Sequence, residues 1–203
     1  GYGLRFDGSA DFLCSDVDNN GACDVETDFA VGTTAFHVSF WFKTSGTVST
    51  VQTLVDKSTT TAAGAAATGW RIWLTNTGTI AFGMDDDTTT FPDDQATSTD
   101  DFDDGQWHHV FAQRVNAGGL LLYVDGRLVG TDTTVAVAAT LDTTAAVLSV
   151  GARCTVVAAC TTAQEFFNGA MDDLVFATGG ATTTDTLTQS QIRKIYLAGL
   201  EAM

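Results

Sequence analysis

Asp16-Val17-Asp18-Asn19-Asn20-Gly21-Ala22-Cys23-Asp24 carries the sharpest chemistry in this chain. Side-chain oxygens stand at alternate positions, on Asp16, Asp18 and Asn20, and a glycine follows. Calcium takes roughly six to eight oxygen ligands at about 2.3–2.6 Å, so alternating carboxylates can wrap one ion while a glycine permits the sharp turn. The Ala22 carbonyl and Asp24 supply the next positions. Thr27 stands where a bidentate glutamate would close the shell, and Glu26 or Asp28 can substitute with a shifted backbone. The expectation is a Ca2+ site built from Asp16, Asp18, Asn20, Ala22, Asp24 and Asp28. The competing reading is a solvated acidic turn, since Asn-Gly and Asp are ordinary turn formers.

This run resembles the front half of an EF-hand-type loop. The Asp-x-Asp-x-Asn-Gly-x-Cys-Asp pattern also resembles the calcium repeats of thrombospondin-type and dockerin-like segments, which are often tied by disulfides. Four cysteines occur as two close pairs, Cys14 with Cys23 and Cys154 with Cys160. Four cysteines allow three connectivities, and local pairing is the simplest because each pair brackets one polar loop. A zinc site fits less well: no C-x2-C is present and no histidine lies near either pair. Disulfides imply an oxidising compartment. The aspartates at 85–87 and 100–104 have less ordered spacing and read as a solvated charged face.

Composition narrows the partners. The 203 residues suit a single domain, 1–203, and 44% apolar content supports a sizeable core. The formal charge is −16, with lysines only at 43, 57 and 194. Such a surface repels phosphate backbones and anionic lipid, so nucleic acid is not an expected partner. No apolar run is long enough for membrane insertion. The chain opens at Gly1 without Met or a signal-like stretch, which reads as a processed secreted chain, although an artificial boundary would look the same. The expected localisation is secreted or extracellular.

The elements that must position these residues are strands. Phe36, Val38, Phe40 and Phe42 alternate with His37, Ser39, Trp41 and Lys43, and period two of this quality marks a strand with one face in a dry core. Trp70, Ile72 and Leu74 alternate likewise, and Asn76-Thr77-Gly78 turns the chain into Thr79–Met84. Further strand signals lie at Leu4–Asp7, Asp11–Leu13, Val147–Val150 and Met171–Phe176. Asp104–Val110 and Leu122–Val129 read as two adjacent strands with an Asp125-Gly126 tight turn. Long loops are expected at roughly 14–34, 58–68 and 85–104. One helix is expected near the C-terminus, with Thr188 and Gln191 at capping-box spacing, Ile192, Ile195 and Tyr196 as its apolar stripe and Gly199 as C-cap. It should pack on a sheet edge or between loops. The fold class is all-β: a two-sheet antiparallel jelly-roll sandwich with one short C-terminal helix.

Five segments resemble, in order, the laminin G-like pattern of the concanavalin A-like lectin and glucanase jelly rolls. They are Leu4–Gly8, Phe36–Lys43, the pair around Gln106-Trp107-His108 and Tyr123-Val124-Asp125-Gly126, Phe167–Val175, and Thr188–Gly199. The resemblance implies structural calcium on loops at one edge, to which Asp7 and Asp172 would contribute. The alternative is that Asp172 caps a turn or pairs with an arginine such as Arg5. It also places Trp41 and Trp107 in the core. Leu174-Val175-Phe176 departs from the pattern, where a charged residue is common.

Retaining glycosidases on this fold need two carboxylates about 5–5.5 Å apart, and laminarinase-type members carry Glu-x-Asp-x-x-Glu on one strand. No such run exists here, and the only glutamates are Glu26, Glu165 and Glu201. His108 and His109 read as packed, hydrogen-bonded side chains on opposite faces. No enzyme is expected. The first functional expectation is an extracellular calcium-binding recognition module for glycans or a surface protein, with the outward one of Trp70 and Trp73 as a sugar platform. The second is a structural subunit of a filament, adhesin or virion surface, with self-association along an exposed edge.

Overall fold

Nine residues, Phe36–Thr44, form the strand on which the fold is hung. The computed structural model describes residues 3–25, 27, 29–59, 68–86, 91–115, 119–134, 141, 146–155, 159–179 and 186–202. Its strands in chain order are β1 (Leu4–Asp7), β2 (Leu13–Cys14), β3 (Phe36–Thr44), β4 (Gln52–Ser58), β5 (Thr68–Leu74), β6 (Thr79–Asp86) and β7 (Asp94–Asp101). They continue as β8 (His108–Val115), β9 (Gly119–Val124), β10 (Arg127–Asp132), β11 (Ser149–Val150), β12 (Arg153–Cys154), β13 (Ala163–Gln164) and β14 (Asn168–Thr178). Helix α1 (Gln189–Ala202) closes the chain.

Two six-stranded antiparallel sheets face each other, ordered β1-β14-β3-β8-β9-β10 and β2-β11-β4-β5-β6-β7. The small β12-β13 ribbon stands beside them. Alternation decides which side chains meet: Phe36, Val38, Phe40 and Phe42 join Trp70, Ile72, Leu74, Ile80 and Phe82 in one buried core. A bulge between Thr53 and Val55 puts Leu54 and Val55, consecutive residues, into that core. This is the expected all-β sandwich with one C-terminal helix.

Several elements differ from expectation. The segment 85–104 is not one loop, because β7 runs through it and pairs with β6. Strand β4 and the β12-β13 ribbon had no clear sequence signal. The expected second strand, 122–129, is two strands, β9 and β10, joined at Asp125-Gly126, where both residues have positive φ (52° and 71°). The expected loop at 58–68 lies largely outside the described residues.

The helix begins as expected. Thr188 N–H and Oγ1 both donate to Gln191 Oε1, at 2.9 and 2.7 Å, and Gln191 N–H returns to Thr188 Oγ1 at 3.4 Å. Its seat is different: α1 lies on the outer face of the first sheet, not on an edge. Ile192 is buried with Phe111 and Tyr123, and Tyr196 stacks on Trp41 at 5.6 Å. Ile195 is 38% exposed and leaves the apolar stripe. Gly199 is not a C-cap, since the helix runs on to Ala202. It is a packing position, where an added Cβ would stand 2.7 Å from Trp41 Nε1.

Candidate functional site

The acidic loop hangs between β2 and the rest of the fold by covalent and polar anchors. Cys14 and Cys23 are bonded, with Cα atoms 5.5 Å apart, and Cys154 and Cys160 form the second local disulfide. Ser15 N–H donates to the Leu148 carbonyl at 2.9 Å, while Ser15 Oγ and the Asp24 N–H tie the two ends of the loop together at 2.7 Å each. Positive φ at Asn19 (57°) and Gly21 (86°) folds the chain back on itself.

Folding back brings three carboxylates together. One oxygen each of Asp16, Asp18 and Asp24 lie within 4.8 Å of one another. Asp16 accepts the N–H groups of Asn20 and Gly21, at 3.2 and 2.9 Å, and Asp24 accepts that of Val17 at 3.2 Å. Among the described residues none of the three forms an ion pair. The donor set is hard oxygen, the chemistry that calcium or magnesium selects. Asn20 is turned differently from expectation: its amide nitrogen donates to Asp18 Oδ2 at 2.9 Å, and its oxygen accepts the Ala22 N–H at 2.8 Å. Asp28 lies outside the described residues.

The second expected calcium position is not assembled. Asp7 faces Asn168 across β1-β14, so Asp172 lies four residues further along, about 13 Å away at ~3.3 Å per residue. Asp7 instead caps its own turn. It accepts the Ser9 hydroxyl and the N–H groups of Ala10, Ser9 and Asp11, which hold its carboxyl well below the usual carboxylate range. Asp172 accepts the Asp173 N–H at 2.9 Å, as a turn cap would.

Neither indole of β5 is a sugar platform. Trp70 and Trp73 do lie on opposite faces, but they are 0% and 5% exposed. Trp70 belongs to the main core; Trp73 is covered on the outer face by Phe91, at 6.3 Å, and by the Arg71 guanidinium, at 4.4 Å. Trp41 is buried under α1, whereas Trp107 is only half-buried.

His108 and His109 take opposite faces, as expected. His108 sits between Phe42 and Phe102, with Nδ1 2.8 Å from Asp125 Oδ2 and Nε2 3.1 Å from Asp104 Oδ1. Burial opposes its charge, but the hydrogen bonds and charges of Asp125 and Asp104 outweigh it and raise the imidazole. His109 lies between Trp41 and Tyr196, where burial lowers it to about 4.

A polar network on the outer face of the second sheet was not foreseen. Arg71 faces Asp56 across β4-β5, Glu165 bonds Arg71 at 2.7 Å and Arg153 at 3.3 Å, and Thr53 donates to the same carboxylate at 3.0 Å. Burial pushes Asp56 up to about 7, partly offset by Arg71 and by the Ser58 hydroxyl. A raised carboxyl beside a second carboxylate resembles an acid/base pair. Here Asp56 is 1% exposed and Glu165 is committed to two guanidiniums, so the network braces the β12-β13 ribbon against the sheet. Asp85, expected on a solvated face, is also buried. Charged residues inside otherwise apolar strands were the available signal.

The fold and these sites define a concanavalin A-like sandwich. The chain belongs to the Laminin_G_3 family, of the concanavalin A-like lectin/glucanases superfamily, whose model matches residues 17–191. No curated protein matches it in sequence. Solved structures show the same fold at low identity. The binding domain of botulinum neurotoxin serotype D is 16% identical with a TM-score of 0.62, covering 97% of this chain and 42% of that one. The serotype D ligand binding domain in complex with N-acetylneuraminic acid is 17% identical at 0.60, over 96% and 41%. The neurotoxin DC binding domain in complex with rat synaptotagmin II is 14% identical at 0.59, over 92% and 42%. The chain thus spans about two fifths of the length of the structures it matches.

Proposed function

We propose that this chain is a non-catalytic extracellular recognition module for glycans or surface proteins, with a calcium ion bound by its disulfide-tied loop. The observation that carries the metal is the convergence of Asp16, Asp18 and Asp24 within 4.8 Å. Three like charges at that spacing repel one another, and a divalent cation relieves the repulsion. Bound there, the ion would stiffen the loop and offer open coordination positions to oxygen-bearing ligands. The two local disulfides support an oxidising, extracellular setting. Among the described residues no helix is long and apolar enough to cross a membrane. Family membership supports recognition, as do two domains of like fold, one in complex with N-acetylneuraminic acid and one with rat synaptotagmin II.

The test is the melting temperature in calcium and in chelator at constant ionic strength. An ion bound only by the folded state adds stability by linkage, about 2.7 kcal/mol at a hundredfold excess over Kd. The expected result is a rise of several degrees in calcium, abolished by Asp16→Ala with Asp18→Ala. An equal response of wild type and variant in both buffers would remove the ion.

A second reading, a self-associating structural subunit, is favoured by one feature. Among the described residues, strand β1 pairs with β14 from Asn168 to Met171 and no further. Beyond that point Leu174 and Val175 are 42% and 50% exposed, an apolar strand edge of the kind that recruits another strand. Sedimentation of wild type against Val175→Lys tests it: concentration-dependent association that the lysine abolishes would support this reading.

A further inference from the structure

The first sheet carries a groove whose charge is opposite to that of the rest of the molecule. Its floor is Gly169 and Ala170 of β14, and Arg5, Lys43, Thr44 and Trp107 line it. Register explains the pairing of the two cations. Arg5 faces Ala170 across β1-β14, and Ala170 faces Lys43 across β14-β3. Phe6, Phe42 and Met171 point into the core, so by alternation Arg5, Lys43 and Ala170 point outward in one row. Two strand spacings separate the cations, about 10 Å at the backbone, and Ala170 between them leaves the gap open.

Three further observations mark this as a built site. The volume is about 650 Å³, within the range of about 300–1,000 Å³ typical of ligand pockets. The side chains of Arg5 and Lys43 have no hydrogen bond or ion pair among the described residues, in a chain whose 25 acidic residues outnumber its 9 basic ones. Trp107 adds an aromatic wall: its Cη2 stands 2.9 Å from where a Cβ on Gly3 would lie.

We infer that this groove binds an acidic sugar, with its carboxylate or sulfate between Arg5 and Lys43 and its ring against Trp107. The inference rests on the recognition reading above and names its ligand class. A net charge of −16 repels anions at long range, so binding depends on a ligand whose anion reaches the space between these two cations. Arginine and lysine supply charge-assisted hydrogen bonds, and the aromatic face supplies stacking area.

The experiment titrates 3′-sialyllactose, a heparin-derived tetrasaccharide and neutral lactose into the full chain by calorimetry, at low and moderate salt. One acidic sugar is expected to bind roughly tenfold or more tightly than lactose, with affinity falling as salt rises. Which of the two binds distinguishes carboxylate from sulfate. Arg5→Gln and Lys43→Gln should each weaken that binding roughly tenfold without moving the melting temperature. Trp107→Leu should weaken all sugars together. Unchanged affinity in both glutamine variants overturns the groove and leaves the recognition reading standing. Equal displacement of the sugar by a glutamate decapeptide overturns it too, because charge alone would then explain binding. No binding of any of the three sugars to wild type removes both the groove and the glycan arm of that reading.

Discussion

Glu165 Oε2 lies 2.7 Å from Arg71 Nη1, joining residues 94 positions apart in sequence. The same carboxylate reaches Arg153 at 3.3 Å, and its backbone carbonyl accepts the Thr53 N–H at 2.8 Å. One side chain therefore clamps the β12-β13 ribbon to β4 and β5. Glu165→Gln would leave two buried guanidiniums facing a neutral amide. Removing one partner of a buried pair costs about 3–5 kcal/mol. Glu165 retains some solvent contact, so the lower end applies. At about 2–4 °C per kcal/mol for a chain of this size, the melting temperature should fall by on the order of 10 °C. Adding Arg71→Met should recover part of the loss. A melting temperature within a degree or two of wild type would show that the clamp contributes nothing.

Asp56 gives this network a pH dependence. Its carboxyl is pushed up to about 7 by burial, against 3.8 for an ordinary aspartate. Between those values the folded state holds a proton that the unfolded state has released, so stability falls as pH rises across the window. Asp94, raised to about 6 by burial and the charges of Asp132, Asp93 and Asp86, has the same sign. Asp56→Asn keeps the oxygen that accepts the Ser58 hydroxyl and removes only the ionisation. The drop in melting temperature from pH 5 to pH 8 should be several degrees smaller in Asp56→Asn than in wild type. Equal drops would place the ionisation elsewhere.

Gly199 sets packing against helix propensity. Alanine is better than glycine in a helix interior by about 1 kcal/mol. Here the new Cβ would stand 2.7 Å from Trp41 Nε1 and 2.8 Å from Cζ2, atoms of a rigid ring held between α1 and the sheet. Overpacking costs about 1–3 kcal/mol and outweighs the propensity gain. Gly199→Ala should lower the melting temperature and shift the tryptophan emission of the folded state. A stabilised variant would show that α1 moves outward freely.

These residues also show what was legible in the sequence and what was not. Alternation in β3 and β5 gave the sheets, because the side-chain period is local and one face of each strand is dry. The acidic loop was equally legible, since its carboxylates fall within nine residues closed by a disulfide. Alternation also put Trp73 outward, but could not show that Phe91 covers it. Strand β7 escaped because its polar, acidic sequence has the composition of a loop, and pairing with β6 alone makes it a strand. Arg5 and Lys43 were readable as outward positions, while their meeting across β14 depends on register between distant segments. Gly199 was misread because a glycine near a helix end has the same signature whether it caps or packs.

The turn at Asp125 supports a last prediction, with its sign set by His108. Asp125 Oδ2 lies 2.8 Å from His108 Nδ1, and its Oδ1 accepts the His109 N–H at 2.9 Å. His108 is raised despite its burial, so the folded state binds the imidazole proton more tightly than the unfolded chain. That stability is fully present below the unfolded value of about 6.5 and is lost as pH rises through the folded value. Asp125→Asn isolates the charge: asparagine tolerates the positive φ of 52° in this hairpin turn and keeps an oxygen for the His109 N–H. A hydrogen bond to a charged group contributes about 1.5–3 kcal/mol, and this partly exposed pair belongs at the low end. In urea denaturation the variant should be less stable than wild type by about 1–2 kcal/mol at pH 5.5, with the gap closing by pH 8. Asp56 titrates identically in both chains and cancels in the difference. A gap that stays constant across this range would mean that Asp125 acts through the turn alone, and that His108 is not held charged by it.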